Sequence, residues 1–125
     1  MIVGIGTDIV DNARIESVIS RHGERFVKRI FSGREIEHLR KFNYSRQTVG
    51  ASFAAKEALV KALGTGFRYG ISFSDMEIVR DADGKPLMKL SGKADEFARA
   101  LGTKQVHLSI SHEKSHSLAV VILES

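Results

Sequence analysis

Cysteine is absent from this chain of 125 residues. Its absence excludes disulfides and thiolate metal sites, and it fits a reducing compartment. Proline occurs once, at Pro86, where it suits the first position of a returning strand. No apolar run approaches membrane-spanning length, and the N-terminus lacks a basic region followed by a long apolar core. The expectation is a soluble, non-secreted, cytoplasmic protein with no membrane partner. Repeats, low-complexity tracts and linkers are also missing, so residues 1–125 are expected to form a single domain. A chain of this size can bury roughly two-thirds of its unfolded surface and needs no covalent staples. Nineteen Lys and Arg against fifteen Asp and Glu leave a net charge of +4. That excess suggests an acidic partner: nucleic acid, a phosphorylated small molecule or an acidic protein.

Residues 1–10 alternate as a strand. Ile2, Gly4, Gly6, Asp8 and Val10 share one face, and Val3, Ile5, Thr7 and Ile9 the other. Two glycines on the Asp8 face leave room beside its carboxylate, a pattern that marks close approach of a ligand or another backbone. Asp11 or Asn12 can cap a helix running to about Arg21, with Ile15, Val18 and Ile19 inward. Ser32 and Glu35 have capping-box spacing, so a helix is expected to follow to about Phe42, burying Ile36 and Leu39. Residues 73–79 read as a strand, 81–84 as a turn and 87–90 as the returning strand. Ser91 caps a further helix with Ala94, Phe97, Ala98 and Leu101 inward and Gly102 closing it. Residues 106–111 alternate cleanly, and His112 continues the apolar face. The last strand, 118–123, is apolar on both faces, as expected of a central strand or a subunit interface. The order β, helices, ββ, α, ββ argues for an α+β protein with a largely antiparallel sheet.

The stretch SFAAKEALVKALGTG, Ser52 to Gly66, organises the rest. Alanine and leucine favour a helix, and Gly64 and Gly66 stop it. Phe53, Leu59, Val60 and Leu63 form a bulky apolar sector that also takes in Lys56. Ala54, Ala58 and Ala62 form a thin strip open to close approach. Glu57 and Lys61 lie one turn apart at the seam between the two. Taken alone, such a pair is an ordinary surface contact worth ~0.3–0.5 kcal/mol. Together with Asp8 it offers two hard oxygen donors and a point charge. Magnesium is commonly held by one or two carboxylates plus waters and substrate phosphates, and an ammonium can reach the phosphate.

GIGTDIV, then FAAKEALVKALGTG, then SISH near the C-terminus together resemble the 4′-phosphopantetheinyl transferases, specifically the small bacterial holo-[acyl-carrier-protein] synthases. The resemblance covers essentially the whole chain, including the GKP turn and the final strand. It implies the 4′-phosphopantetheinyl transferase fold and transfer of the 4′-phosphopantetheine arm from coenzyme A to a serine of an acyl carrier protein. Adenosine 3′,5′-bisphosphate would be the other product. By that likeness Asp8 and Glu57 bind Mg²⁺ and, with Lys61, carry the catalysis. Lys61, His112, Arg46 and Gly64 are assigned to coenzyme A, His112 near its nucleotide part. Arg14, Arg21 and Arg25 of the basic first quarter are assigned to the acidic carrier protein. A homotrimer with sites between subunits is implied as well. One departure stands out: many relatives carry an arginine where this chain has Ser52, and Arg46, roughly two helical turns earlier, is the candidate to replace it. Two rivals stay open, a nucleic-acid or protein-binding module that needs neither acid, and a Mg²⁺-dependent phosphohydrolase using the same pair with water.

Overall fold

The computed structural model describes all residues, Met1–Ser125. Strand β1 spans Ile2–Asp11, followed by helices α1 (Asn12–His22), α2 (Glu24–Ile30), α3 (Gly33–Lys41) and α4 (Arg46–Leu63). A single 3₁₀ turn, Phe73–Asp75, leads into strands β2 (Met76–Arg80) and β3 (Pro86–Leu90). Helix α5 (Gly92–Ala100) and strands β4 (Gln105–His112) and β5 (His116–Glu124) complete the chain. All pairing is antiparallel: β1, β5 and β4 form one sheet in that order, and β2 with β3 a separate hairpin. The α+β reading therefore holds, with the strands divided between two sheets.

Local chemistry explains most of the boundaries. Asp11 is the cap of α1, its carboxylate accepting from the Ala13 N–H at 2.9 Å. Both halves of the Ser32–Glu35 capping box are formed. Helix α4 starts at the Ser45 cap and ends at Gly64, whose φ of 79° is the left-handed stop that glycine permits. The expected strand from 73 begins only at Met76, because Phe73–Asp75 close a tight turn stabilised by Asp75 and Ser72. The short α2 was not foreseen as a helix. Leu101, expected inward, is 40% exposed just beyond α5.

Helix α4 is the hub. Ala54, Ala55, Ala58, Leu59 and Val60 are buried against the three-stranded sheet, where β5 turns Ser117, Ala119, Val121 and Leu123 inward. Phe26, Phe53, Phe73 and Phe67 form a chain of neighbouring rings at the other end of the core. Lys56, the misfit of the bulky sector, is buried within it. Its Nζ donates to Glu35 Oε1 at 2.7 Å, to the Ile30 carbonyl at 2.8 Å and to the Phe73 carbonyl at 3.4 Å. Burial pushes the Lys56 pKa down, opposed by the Glu35 carboxylate. Glu35 also accepts from the Ile78 N–H at 2.9 Å, so one buried ion pair ties α2, α3, α4 and β2 together.

Candidate active site

The two glycines of β1 decide where Asp8 sits. A Cβ on Gly6 would overlap the Ala58 carbonyl oxygen and stand 2.6 Å from the Ala62 nitrogen; one on Gly4 would overlap the Ala62 carbonyl oxygen. The space expected beside Asp8 is thus filled by the backbone of α4 and not by a ligand. The alanine strip and the glycines make one contact, a strand laid directly on a helix. That contact brings Asp8 onto the side of α4 that carries Glu57 and Lys61.

The three charged groups form an asymmetric set. Lys61 Nζ donates to Asp8 Oδ1 at 2.9 Å, with the Asp8 side chain 14% exposed and that of Lys61 53% exposed. Lys61 therefore pairs with the strand and not with its helical neighbour Glu57. Burial, and then the charge of Asp8, holds Glu57 above the usual carboxylate range, while Lys61 pulls it the other way. A carboxylate whose proton is retained by burial and by a second carboxylate is a group whose charge a cation would relieve. No third His, Cys, Asp or Glu joins them in a metal-holding cluster. A cleft of about 290 Å³ opens beside the pair. Asp11 and Arg14 stand on its edge, and Ile15, Val18, Phe26 and Phe53 give it an apolar wall.

The other expected residues fall elsewhere. Arg14 lines this cleft, whereas Arg21 and Arg25 are exposed farther along α1 and α2; none of the three has a carboxylate partner within 4.0 Å. Arg46 is held by Glu16 of α1 at 3.4 Å. It does not line the cavity that Ser52 lines. Gly64 shapes the end of α4 with no side chain near it. His112 continues the face of β4 that carries Val106, Leu108 and Ile110. It is exposed at the end of β4 and lines a different cleft, with Thr48, Ala51 and Arg80. The turn behind it is fastened by buried Asn12, which donates to the Glu113 carbonyl at 3.0 Å and accepts from Ser117 Oγ at 2.8 Å. Within one chain, then, Asp8, Glu57, Lys61 and Arg14 come together, and His112 stands apart. Arg80 was not foreseen; a basic residue between a strand and an Asp-Gly turn carries no periodic signal that separates it from a solvated one.

A glycine-seated acidic pair on a strand and helix, beside an antiparallel sheet, defines a small α+β protein with its charged groups gathered at one cleft. Residues 4–121 match the family model of the 4′-phosphopantetheinyl transferase superfamily, and the chain belongs to that family. A holo-[acyl-carrier-protein] synthase of Vibrio atlanticus is 46% identical over 124 residues, covering 99% of this chain and 98% of that protein. Among solved structures, the holo-[acyl-carrier-protein] synthase of Neisseria meningitidis superposes with a TM-score of 0.88 at 38% identity, covering 100% of both chains. That of Helicobacter pylori, solved in complex with coenzyme A, gives a TM-score of 0.84 at 33% identity, covering 96% of this chain and 99% of the other.

Proposed function

We propose that this chain moves the 4′-phosphopantetheine arm of coenzyme A onto a serine hydroxyl of apo acyl carrier protein, with Mg²⁺ as cofactor and adenosine 3′,5′-bisphosphate as leaving group. The observation that carries the reading is the convergence of Asp8, Glu57 and Lys61 beside one open cleft. The serine oxygen forms a bond to the phosphorus of the arm, and the bond from that phosphorus to the bridging oxygen breaks. Such a transfer asks for positioning and charge neutralisation more than for covalent help from the protein.

Asp8 and Glu57 would hold the ion. Both are hard oxygen donors, and magnesium keeps several waters, so two carboxylates suffice. When bound, the ion supplies Lewis-acid polarisation of the pyrophosphate. Lys61, exposed beyond Asp8, offers a point charge to the same phosphates. Glu57, on the cleft wall, would also stand where it could take the serine proton. Unpaired Arg14 at the rim, with Arg21 and Arg25 beyond it, suits an acidic carrier.

A homotrimer with shared sites goes with this reading. The outer face of the sheet leaves Ile5 61%, Ile9 66% and Leu118 39% exposed, an apolar surface that asks for a partner. The separation of His112 from the acidic pair is what a site completed by a neighbouring copy would produce. A cytoplasmic location and a part in fatty-acid biosynthesis also follow from the reading; no helix is long and apolar enough to cross a membrane.

One assay tests it. Apo acyl carrier protein, coenzyme A and Mg²⁺ are incubated with the protein and the carrier is weighed. A gain equal to the arm is expected. Consumed coenzyme A with unchanged carrier would point to hydrolysis instead, and an unchanged mixture to a binding module.

A further inference from the structure

One buried charge has no part in the proposed transfer. Lys56 is 0% exposed, yet it stands one residue before Glu57 on α4. Its ammonium has three N–H donors, and three elements supply an acceptor each. These are Glu35 Oε1 of α3 at 2.7 Å, the Ile30 carbonyl that ends α2 at 2.8 Å, and the Phe73 carbonyl of the 3₁₀ turn at 3.4 Å. The Phe31 ring centroid lies 5.2 Å from the same nitrogen. Taking an ammonium out of water is unfavourable, and an apolar side chain would fill the bulky sector of α4 without that penalty. What the ammonium adds is direction: its bonds fix one point of α4 against three neighbours at once.

The setting of that point bears on Glu57. Successive residues of an α-helix are turned by about 100°, so Lys56 and Ala58 face nearly opposite ways with Glu57 between them. On the Ala58 side the helix backbone lies directly on β1, where a Cβ on Gly6 would overlap the Ala58 carbonyl oxygen. On the Lys56 side the ammonium holds it. Glu57 emerges between these two grips, on the cleft that Asp8 also lines. Glycine against alanine sets how close the helix lies to the strand, but it offers no side chain to stop the helix from rolling. A roll of about 20° would carry a side-chain tip, roughly 5–6 Å from the helix axis, through about 2 Å. Magnesium holds its oxygens at about 2.0–2.1 Å in a near-ideal octahedron, so a carboxylate displaced that far is lost as a ligand. The same ammonium steadies the cleft wall, because the Phe73 ring stands 6.0 Å from the Phe53 ring and Phe53 lines the cleft.

We infer that Lys56 is a positioning residue of the acidic site: its clamp on α2, α3 and the 3₁₀ turn stops α4 from rolling and so keeps Glu57 in place beside Asp8. Lys56 bonds to neither carboxylate of that pair, and its effect is carried by the helix backbone. The inference rests on the metal reading above, and it makes the buried Glu35–Lys56 pair part of the site's support as well as of the core.

The test separates placement from stability. Mn²⁺ affinity is read by electron paramagnetic resonance on the full chain, at a temperature where circular dichroism shows each variant folded. Lys56→Met keeps an unbranched side chain in the sector and removes the clamp. Its Kd for Mn²⁺ is expected to rise roughly ten-fold or more, as when the support of a metal ligand is disturbed. Leu39→Ala opens a cavity in α3, where Leu39 is 1% exposed, and lowers stability with the clamp intact. Its Kd should match that of the parent. Lys56→Met/Glu35→Leu removes both charges, so the denaturation midpoint should recover while the Kd stays as weak as in Lys56→Met. Where Lys56→Met does not fold, the double variant against Leu39→Ala gives the same comparison. Parent-like affinity in Lys56→Met, affinity that recovers together with stability in the double variant, or an equal loss in Leu39→Ala overturns the assignment, because packing alone then accounts for the site. A parent chain that holds no Mn²⁺ refutes the metal reading and this role with it, and that failure shows before any variant is compared.

Discussion

Lys61 and Asp8 meet across 53 residues of sequence, the ammonium of α4 donating at 2.9 Å to the carboxylate of β1. The pair is a surface contact by exposure, and an isolated contact of that kind contributes little to stability. Its value is positional. Lys61→Met is therefore expected to leave thermal stability within about 1 kcal/mol of the parent. Transfer to the carrier should fall roughly 10–100-fold in kcat/KM, the range for losing a charge-assisted contact to an anion. Parallel losses of stability and rate would show a structural role instead.

Glu57 gives a pH prediction whose sign can be worked out. Its carboxyl is raised above the ordinary 4.5, so the native state takes up a proton at higher pH than the unfolded chain does. That contribution to stability is present at low pH and is lost as pH rises through the folded-state value. Metal binding needs the carboxylate and runs the other way. Mn²⁺ affinity, read by electron paramagnetic resonance as a stand-in for Mg²⁺, should weaken as pH falls toward the raised folded-state value of Glu57. Glu57→Gln should melt no lower than the parent. It should lose Mn²⁺ binding and reduce transfer by more than the roughly 100-fold that disturbing an outer-shell partner costs. Full activity in that variant would remove Glu57 from the site.

The buried Lys56–Glu35 pair supports a stability prediction. Removing one partner strands the other charge where water cannot reach it, at a cost of about 3–5 kcal/mol. Glu35→Gln should therefore lower the denaturation midpoint far more than Glu37→Gln, which loses only an exposed contact. Replacing Lys56 and Glu35 together by Met and Leu should recover much of the loss. Chemical denaturation of the three variants checks both statements.

What sequence alone could reveal divides along physical lines. The caps, the stop at Gly64 and the alanine strip of α4 were legible because they are local: each depends on neighbours three or four residues away. The glycines of β1 announced a close approach but not what approaches, since a missing Cβ says only that room is needed. Lys56 stood out as a misfit, yet its partner lies 21 residues off, and no periodicity links them. Glu35 was visible as half of a capping box, and its second duty toward Ile78 was hidden. The acidic site was found through two motifs whose meeting depends on the strand-on-helix contact. Arg80 escaped for the converse reason: the cavity it lines is made by α3 and α4 converging on a strand end.

That strand-on-helix contact can be tested by a single methyl group. In Gly6→Ala the new Cβ would collide with the Ala58 carbonyl oxygen and crowd the Ala62 nitrogen, both backbone atoms of the central helix. Neither can turn aside as a side-chain tip could, so β1 must lift from α4. The expected cost is at least about 3 kcal/mol, the upper range for overpacking. Gly64→Ala faces no neighbouring atom and is strained only through its φ of 79°, so it should cost about 1 kcal/mol. Lifting β1 also moves Asp8 away from Glu57. At a temperature where Gly6→Ala remains folded, Mn²⁺ binding should be weakened although both carboxylates are present.

Arg14 carries the last prediction. It is exposed on the rim of the cleft beside Asp8 and Glu57, with no carboxylate within 4.0 Å of its guanidinium. A rim charge of this kind chiefly steers encounter with an oppositely charged partner. Arg14→Glu is expected to raise the KM for acyl carrier protein roughly ten-fold while leaving that for coenzyme A within a factor of about two. The difference between the two proteins should shrink as salt is raised toward 1 M, where the screening length falls to about 3 Å. If both KM values rise together, Arg14 holds the cleft's shape or touches coenzyme A, and the carrier must be guided from another face. If the salt dependence of the parent is flat from the start, the basic first quarter steers nothing, and the net charge of +4 needs a different explanation.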